Sequence, residues 1–306
     1  MRRKNIKSVL RNKIEDWAES IDSPTAKEFV LKQSVVCGGA IASMLLGEKV
    51  NDFDVYFRTR EATVAVANYY VEKFKANPPP RFLGSDKVAR ISVLPLEDRV
   101  KVVVKSQGIA GESGNDDYQY FEQVDDDAAS SRFVENVVAD ATQTIEDSGK
   151  PKYRPTFLST NAITLSHQIQ AVIRFFGNPA KIHANYDFVH CMCAWESDSG
   201  NLTIPQEAVE SMLAKHLVYR GSLYPLCSFI RTRKFISREW TIDAGQYVKM
   251  AWDLNKLDLS NIAVLEDQMT GVDSAYFYQV LALLRTNNKE KVDGTYLMEV
   301  IDKVFA

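Results

Sequence analysis

The chain has 306 residues and a mass of 34.5 kDa, with 45% hydrophobic and 25% charged residues. That excludes a disordered chain, a collagen-like repeat and a small disulfide scaffold. Lys and Arg total 37 against 40 Asp and Glu, a formal net charge of -3, so any grip on polyphosphate must come from local basic clusters rather than bulk charge.

Residues 6–21 place Ile6, Val9, Leu10, Ile14, Trp17 and Ile21 at helical spacing, ringed by Arg2, Arg3, Lys4, Lys7, Arg11 and Lys13. This predicts an amphipathic N-terminal helix within a module over 1–30, its basic face solvated or turned to RNA. Ser34–Cys37 reads as a short strand ending at Gly38-Gly39, followed by a helix over Ala40–Leu46 that stops at Gly47. A strand over 53–57 and a helix over 61–75 come next, and Pro78-Pro79-Pro80 ends that helix. Two β runs, 88–94 and 100–105, precede a segment of different character. Residues 106–150 are first Gly-rich and then acidic, with Glu112, Asp116, Asp117, Glu122 and Asp125 to Asp127. They read as an insertion with a loop and a helix over about 128–146.

The β pattern resumes at 156–165, a helix is expected through Arg174, and a strand over 186–195 leads through a turn to Leu202–Ile204. From Pro205 the pattern is helical. The fold class is therefore α+β. A head over 31–218, with a mixed sheet, flanking helices and the 106–150 insertion, is followed by a helical neck and C-terminal domain over 219–306. The longest apolar run, 35–47, falls short of the roughly 20 residues that span a bilayer. With no secretory segment, Cys37, Cys191, Cys193 and Cys227 read as reduced thiols of a cytoplasmic protein.

The chemistry is concentrated between Cys37 and Asp54. A glycine pair between strand and helix lets a phosphate approach the backbone, and the helix start offers it unpaired N–H groups and a partial positive charge. Asp52 and Asp54 lie two apart on an expected strand, so both carboxylates point to one face. Two carboxylates there repel unless a cation sits between them, and Mg²⁺ (or Mn²⁺) with its preference for oxygen ligands is the natural partner. A pair of such ions, roughly 3.5–4 Å apart, suits transfer of a nucleotidyl group with release of pyrophosphate. Asp125-Asp126-Asp127 has the same spacing with no phosphate loop before it, so Asp-x-Asp alone carries little.

Gly38, Gly39, Leu45, Leu46, Gly47, Asp52 and Asp54 match in register a segment of the DNA polymerase β-type nucleotidyltransferase superfamily. Within it the segment resembles the tRNA nucleotidyltransferase and poly(A) polymerase branch, whose Arg-Asp pair is Ala42-Ser43 here. Asn185-Tyr186-Asp187-Phe188 is similar to that branch's Arg-Arg-Asp-Phe, which makes Asp187 the third metal-site carboxylate by resemblance and leaves both arginines missing. Leu223 to Arg233 resembles the neck helix that selects the incoming base, but Leu223, Tyr224 and Cys227 replace the selecting residues. Protein-templated CCA addition is therefore not expected. Phrases over 42–54, 160–163, 224–225 and 265–273 also resemble bacteriophage-encoded predicted nucleotidyltransferases.

The expected site has Asp52, Asp54 and Asp187 as catalytic and metal-binding residues. Gly38, Gly39, Thr160, Asn161, Arg231 and Arg233 are expected to bind the nucleotide. The partners are an NTP and an RNA 3′ end, a protein hydroxyl or a small molecule as acceptor. Two rivals stand beside this expectation, a catalytically inactive binding or virion module and a toxin-type transferase acting on host tRNA or protein. His190-Cys191-x-Cys193 has a zinc half-site's look but no second pair, so these cysteines read as buried apolar residues. Tyr276, Phe277 and Tyr278 read as core.

Overall fold

The computed structural model describes residues 1–78, 86–104 and 151–269, with a few positions between 294 and 299. The expected insertion, the 128–146 helix and the 276–278 aromatics lie outside the described residues.

The fold is α+β, built on a seven-stranded mixed sheet with helices against it. The N-terminal helix α1 (Arg3–Glu19) buries Ile6, Leu10, Ile14 and Trp17 along one stripe, as its spacing requires. A second helix, α2 (Pro24–Gln33), escaped the sequence reading although Ser23 caps it through Ala26 N and Pro24 opens it. Then follow β1 (Ser34–Cys37), α3 (Gly39–Leu46), β2 (Phe53–Phe57) and α4 (Arg60–Ala76). A one-turn helix α5 (Asp86–Ala89) replaces the start of the β run expected at 88, and β3 (Ile91–Pro95) pairs with β4 (Val100–Val104) in a separate hairpin.

The expected strand over 156–165 is a hairpin of β5 (Pro155–Leu158) and β6 (Ala162–Leu165), turned at Ser159 to Asn161. The helix expected through Arg174 is instead the long strand β7 (Ile169–Phe176). Its alternation of Ile169, Ala171 and Ile173 against Gln170, Val172 and Arg174 is a two-residue period, and β-branched residues favour that pleat. After α6 (Pro179–His183), the expected strand over 186–195 is largely irregular. A 3₁₀ turn covers Val189–Cys191, and only β8 (Ala194–Glu196) joins the sheet, beside β9 (Leu202–Thr203). The remaining described helices are α7 (Gln206–Ala214), α8 (Pro225–Ile236), α9 (Ala244–Leu254) and α10 (Ile262–Met269).

The strand order is β5-β6-β7-β2-β1-β8-β9, with β2 and β7 parallel and the other neighbours antiparallel. Alternation sorts the central residues to two faces. Val36, Phe53, Val55, Phe57, Ala171 and Trp195 join the main core with Trp17, Tyr70 and Phe74 from α1 and α4. Val35, Cys37, Tyr56, Val172 and Ala194 form a smaller cluster on the opposite face. Asp54 lies on that second face, between Cys37 of β1 and Gln170 of β7 in the same cross-strand row.

Candidate functional site

The site begins at the end of β1. Gly38 has φ 86° and ψ -153°, a conformation open only to glycine, and it starts α3 with no side-chain cap. A Cβ there would lie 3.1 Å from Asp54 Oδ2 and 3.4 Å from the Tyr186 hydroxyl. A Cβ on Gly39 would meet nothing within 4 Å, so α3 is open to space at Gly39, while Ala40, Ile41 and Ala42 are buried. The helix closes at Gly47 in the left-handed region, with Glu48 N donating to Ser43 O.

β2 starts at Phe53, which leaves Asp52 exposed just before the strand and Asp54 half-buried within it. Gln168 fixes this approach at two points. Its carbonyl accepts from Phe53 N at 2.8 Å and its side-chain amide donates to Val50 O at 3.2 Å. His167 and Gln168 both sit at positive φ to make this turn.

Tyr186, at the position of one missing arginine, donates to the Tyr56 hydroxyl at 3.1 Å. Burial, reinforced by the Asp54 charge, pushes the Cys37 thiol and the Tyr56 phenol well up. Burial pushes the Tyr186 phenol up as well, with Tyr56, Cys37 and Asp54 adding to it. All three stay protonated, so Asp54 is flanked by neutral groups on this face.

Asp187 is buried, and its Oδ2 accepts from Ser228 Oγ at 2.9 Å and from Arg231 Nη1 at 2.5 Å. Its carbonyl accepts from Arg220 N. Asp187 and Arg231 line a cleft with Tyr56, Asn161, Gln170, Arg174 and Tyr224. Asn161 Oδ1 accepts from Arg174 Nη1, whose guanidinium lies over the Tyr224 ring, 4.6 Å from its centroid.

Of the expected nucleotide-binding residues, the cleft thus gathers Asn161 and Arg231. Thr160 sits in the turn between β5 and β6, outside the lining, with its carbonyl accepting from Val102 N of β4, and Arg233 is exposed on α8 outside the lining. Arg174 was not among the expected residues, because a helix was expected there and nothing in sequence brings it to Tyr224 at the start of α8.

The donor chemistry can be tested against Mg²⁺, which takes hard oxygen ligands and keeps water positions. Asp54, whose Oδ2 lies near Gly38 at the start of α3, and the exposed Asp52 two residues before it offer such oxygens. Asp187 does not, since a guanidinium already compensates its charge. Among the described residues no group of three or more His, Cys, Asp or Glu side chains is placed to hold a metal ion.

The zinc half-site look of residues 190–193 is explained by packing. The four cysteines are free, and His190 is buried against Phe235 and Trp240. Burial lowers its pKa to about 4. The basic face of α1 is partly spent on the protein itself. Arg3 donates to Leu202 O, and the Arg11 guanidinium covers the turn at Gly200. No described helix is long and apolar enough to cross a membrane.

The sequence profile of the family described as "Gabija anti-defense 2 family protein" matches residues 8–215. The chain belongs to the Gabija anti-defense 2 family. The matched stretch runs from α1 to the end of α7 and includes the Gly38 turn, Asp52, Asp54 and Asp187. A relative from Bacillus phage SPbetaL7, Gabija anti-defense 2, is 22% identical over 132 residues, which are 43% of this chain and 32% of that protein. The chain therefore spans about a third of the length of the curated relative it matches.

Among solved structures it is similar to the Thermotoga maritima CCA-adding enzyme complexed with tRNA, at 11% identity and a TM-score of 0.38. That likeness covers 95% of this chain and 54% of the other. A tRNA-processing enzyme with CTP gives 10% identity and a TM-score of 0.38, over 92% and 58% of the two chains. The Bacillus stearothermophilus CCA-adding enzyme in complex with CTP gives 12% and 0.33, over 82% and 47%.

Proposed function

We propose that the chain is a divalent-metal-dependent nucleotidyltransferase that moves an NMP from an NTP to a hydroxyl acceptor and releases pyrophosphate, in the anti-defense role its family's name states. The supporting observation is the closeness of the Asp54 carboxylate to the Gly38 turn, where an added Cβ would lie 3.1 Å from Oδ2. It puts an acidic side chain directly beside an uncapped, open helix start. Phosphate oxygens would take the N–H groups of that first turn. Asp52 and Asp54 would hold Mg²⁺, which supplies charge compensation for the leaving pyrophosphate when bound. In the transfer the acceptor oxygen bonds to the α-phosphorus, the bond to the bridging oxygen of pyrophosphate breaks, and the hydroxyl proton passes to water. An RNA 3′ end is the favoured acceptor, on the resemblance of the 37–54 segment. A host protein or tRNA would be the acceptor of a toxin-type transferase.

A second reading has its own observations. Tyr186 stands against the Gly38 turn and Arg231 occupies Asp187, which suits a non-catalytic binding module. One experiment separates the two. Purified protein is incubated with each labelled NTP and Mg²⁺ or Mn²⁺, with and without total bacterial RNA, beside the Asp52→Asn/Asp54→Asn double variant. Label transferred by the wild type alone supports the enzyme and names the acceptor class. No transfer with any nucleotide transfers the assignment to the binding module.

A further inference from the structure

The third carboxylate of the expected metal site stands in an arrangement a metal ligand would not need. Asp187 is 7% exposed, and its side-chain partners Ser228 and Arg231 come from one helix, α8, one turn apart. A charge-assisted bond between a nearly buried carboxylate and a guanidinium is strong because little water competes for either group. Bringing a cation to Asp187 would require Arg231 to leave, and would put two like charges beside each other in the same low-dielectric wall. The backbone of Asp187 is fixed as well, since its carbonyl accepts from Arg220 N at 2.8 Å.

The same geometry has a use. A guanidinium carries five donors in a fixed fork, so the bond to Asp187 occupies part of Arg231 and sets the direction of the rest. Arg231 lines the cleft beside Tyr56, Asn161 and Tyr224. Tyr224 is 8% exposed, and its hydroxyl finds no hydrogen-bond partner among the described residues. An orphaned hydroxyl and an anchored guanidinium lining the same cleft suit an acceptor-rich group. The Arg-Arg pair of the resembled motif is missing before Asp187, so α8 supplies a cation that the 185–187 segment lacks.

We infer that Asp187 is a positioning residue rather than a metal ligand. It anchors Arg231, which with Tyr224 grips a phosphoryl group of the bound nucleotide, and the divalent cation rests on Asp52 and Asp54 alone. This rests on the nucleotidyltransferase reading of the site. Mn²⁺ binding, followed by the electron paramagnetic resonance signal of the free ion, and tripolyphosphate binding, followed by calorimetry, test it in the full chain. The variants are Asp54→Asn, Asp187→Asn, Arg231→Gln, Arg231→Lys and Tyr224→Phe, with folding checked by the fluorescence of buried Trp17 and Trp195.

Asp54→Asn should weaken Mn²⁺ binding at least tenfold while Asp187→Asn leaves it within twofold. Tripolyphosphate binding should fall at least tenfold in both Asp187→Asn and Arg231→Gln, fall severalfold in Tyr224→Phe, and recover in part in Arg231→Lys. Loss of Mn²⁺ in Asp187→Asn to the same degree as in Asp54→Asn overturns the inference, as does tripolyphosphate binding that ignores Arg231. If the wild type binds tripolyphosphate through Arg231 and Asp187 but no Mn²⁺, the anchoring role stands and the metal-dependent reading of the site fails instead. Should Asp187→Asn not fold, the Asp187→Asn/Arg231→Gln double variant, which removes both charges together, carries the Mn²⁺ comparison.

Discussion

Replacing Gly38 by alanine tests the link between the turn and the acidic site most directly. At φ 86° and ψ -153° the residue occupies a region closed to side chains. Forcing alanine into it costs about 1–3 kcal/mol of backbone strain. The new methyl would also meet Asp54 Oδ2 at 3.1 Å and the Tyr186 hydroxyl at 3.4 Å, so two half-fixed side chains must give way. With roughly 1 kcal/mol for that displacement, the total loss is about 2–4 kcal/mol. Gly39 is the internal control. It is the first helical residue of α3, and a Cβ there meets nothing within 4 Å. Gly39→Ala should therefore be neutral or stabilising by up to about 1 kcal/mol, because alanine has less freedom to lose from the unfolded chain.

Urea unfolding followed by tryptophan fluorescence reads both variants, since Trp17 and Trp195 are buried in the main core. At a slope of about 3 kcal/mol/M, Gly38→Ala should lower the midpoint by roughly 1 M while Gly39→Ala leaves it in place. Equal midpoints for the two variants would refute the argument, because they would show that the turn does not hold Gly38 against Asp54.

Arg231→Leu, which strands the buried Asp187 carboxylate, should destabilise by about 3–5 kcal/mol, and the Asp187→Leu/Arg231→Leu pair by much less than two such losses. A double-mutant cycle in urea checks this. Lowering the pH should cost stability through His190, whose folded pKa of about 4 lies below its unfolded value. The contribution is full above about pH 6.5 and is lost as pH falls toward 4. Between pH 6.5 and 5 it amounts to about 2 kcal/mol, absent in His190→Phe, as unfolding at the two pH values would reveal. Gln168→Gly relieves a positive φ of 62° but removes the bond to Val50 O, so stability should shift by less than about 1 kcal/mol. If that bond positions Asp52, Mn²⁺ affinity should nonetheless drop, measured on the same samples.

Much of the front of the molecule was legible because its signals are local. The stripe of α1, the strand ending at Gly38-Gly39, the short helix closed by Gly47 and the strand carrying Asp54 all follow from spacing and from glycine's freedom at positive φ. The α+β class followed from the same signals. The 166–195 region did not. β7 stands where a helix is expected although its alternating residues fit a strand, because a short apolar run reads either way until neighbours pair with it. β7 lies between β2 and β6, and that parallel partner, more than a hundred residues upstream, holds Ile169 to Phe176 extended. The pairing of Asp187 with Arg231 was equally beyond sequence. A carboxylate at a motif position does not say which charge will stand beside it, and here α8 brings a guanidinium 44 residues away in the chain. Sequence determines which residues can do chemistry, since side-chain type and local spacing are written there. Only tertiary structure decides which of them meet, because Coulomb attraction and burial act through space.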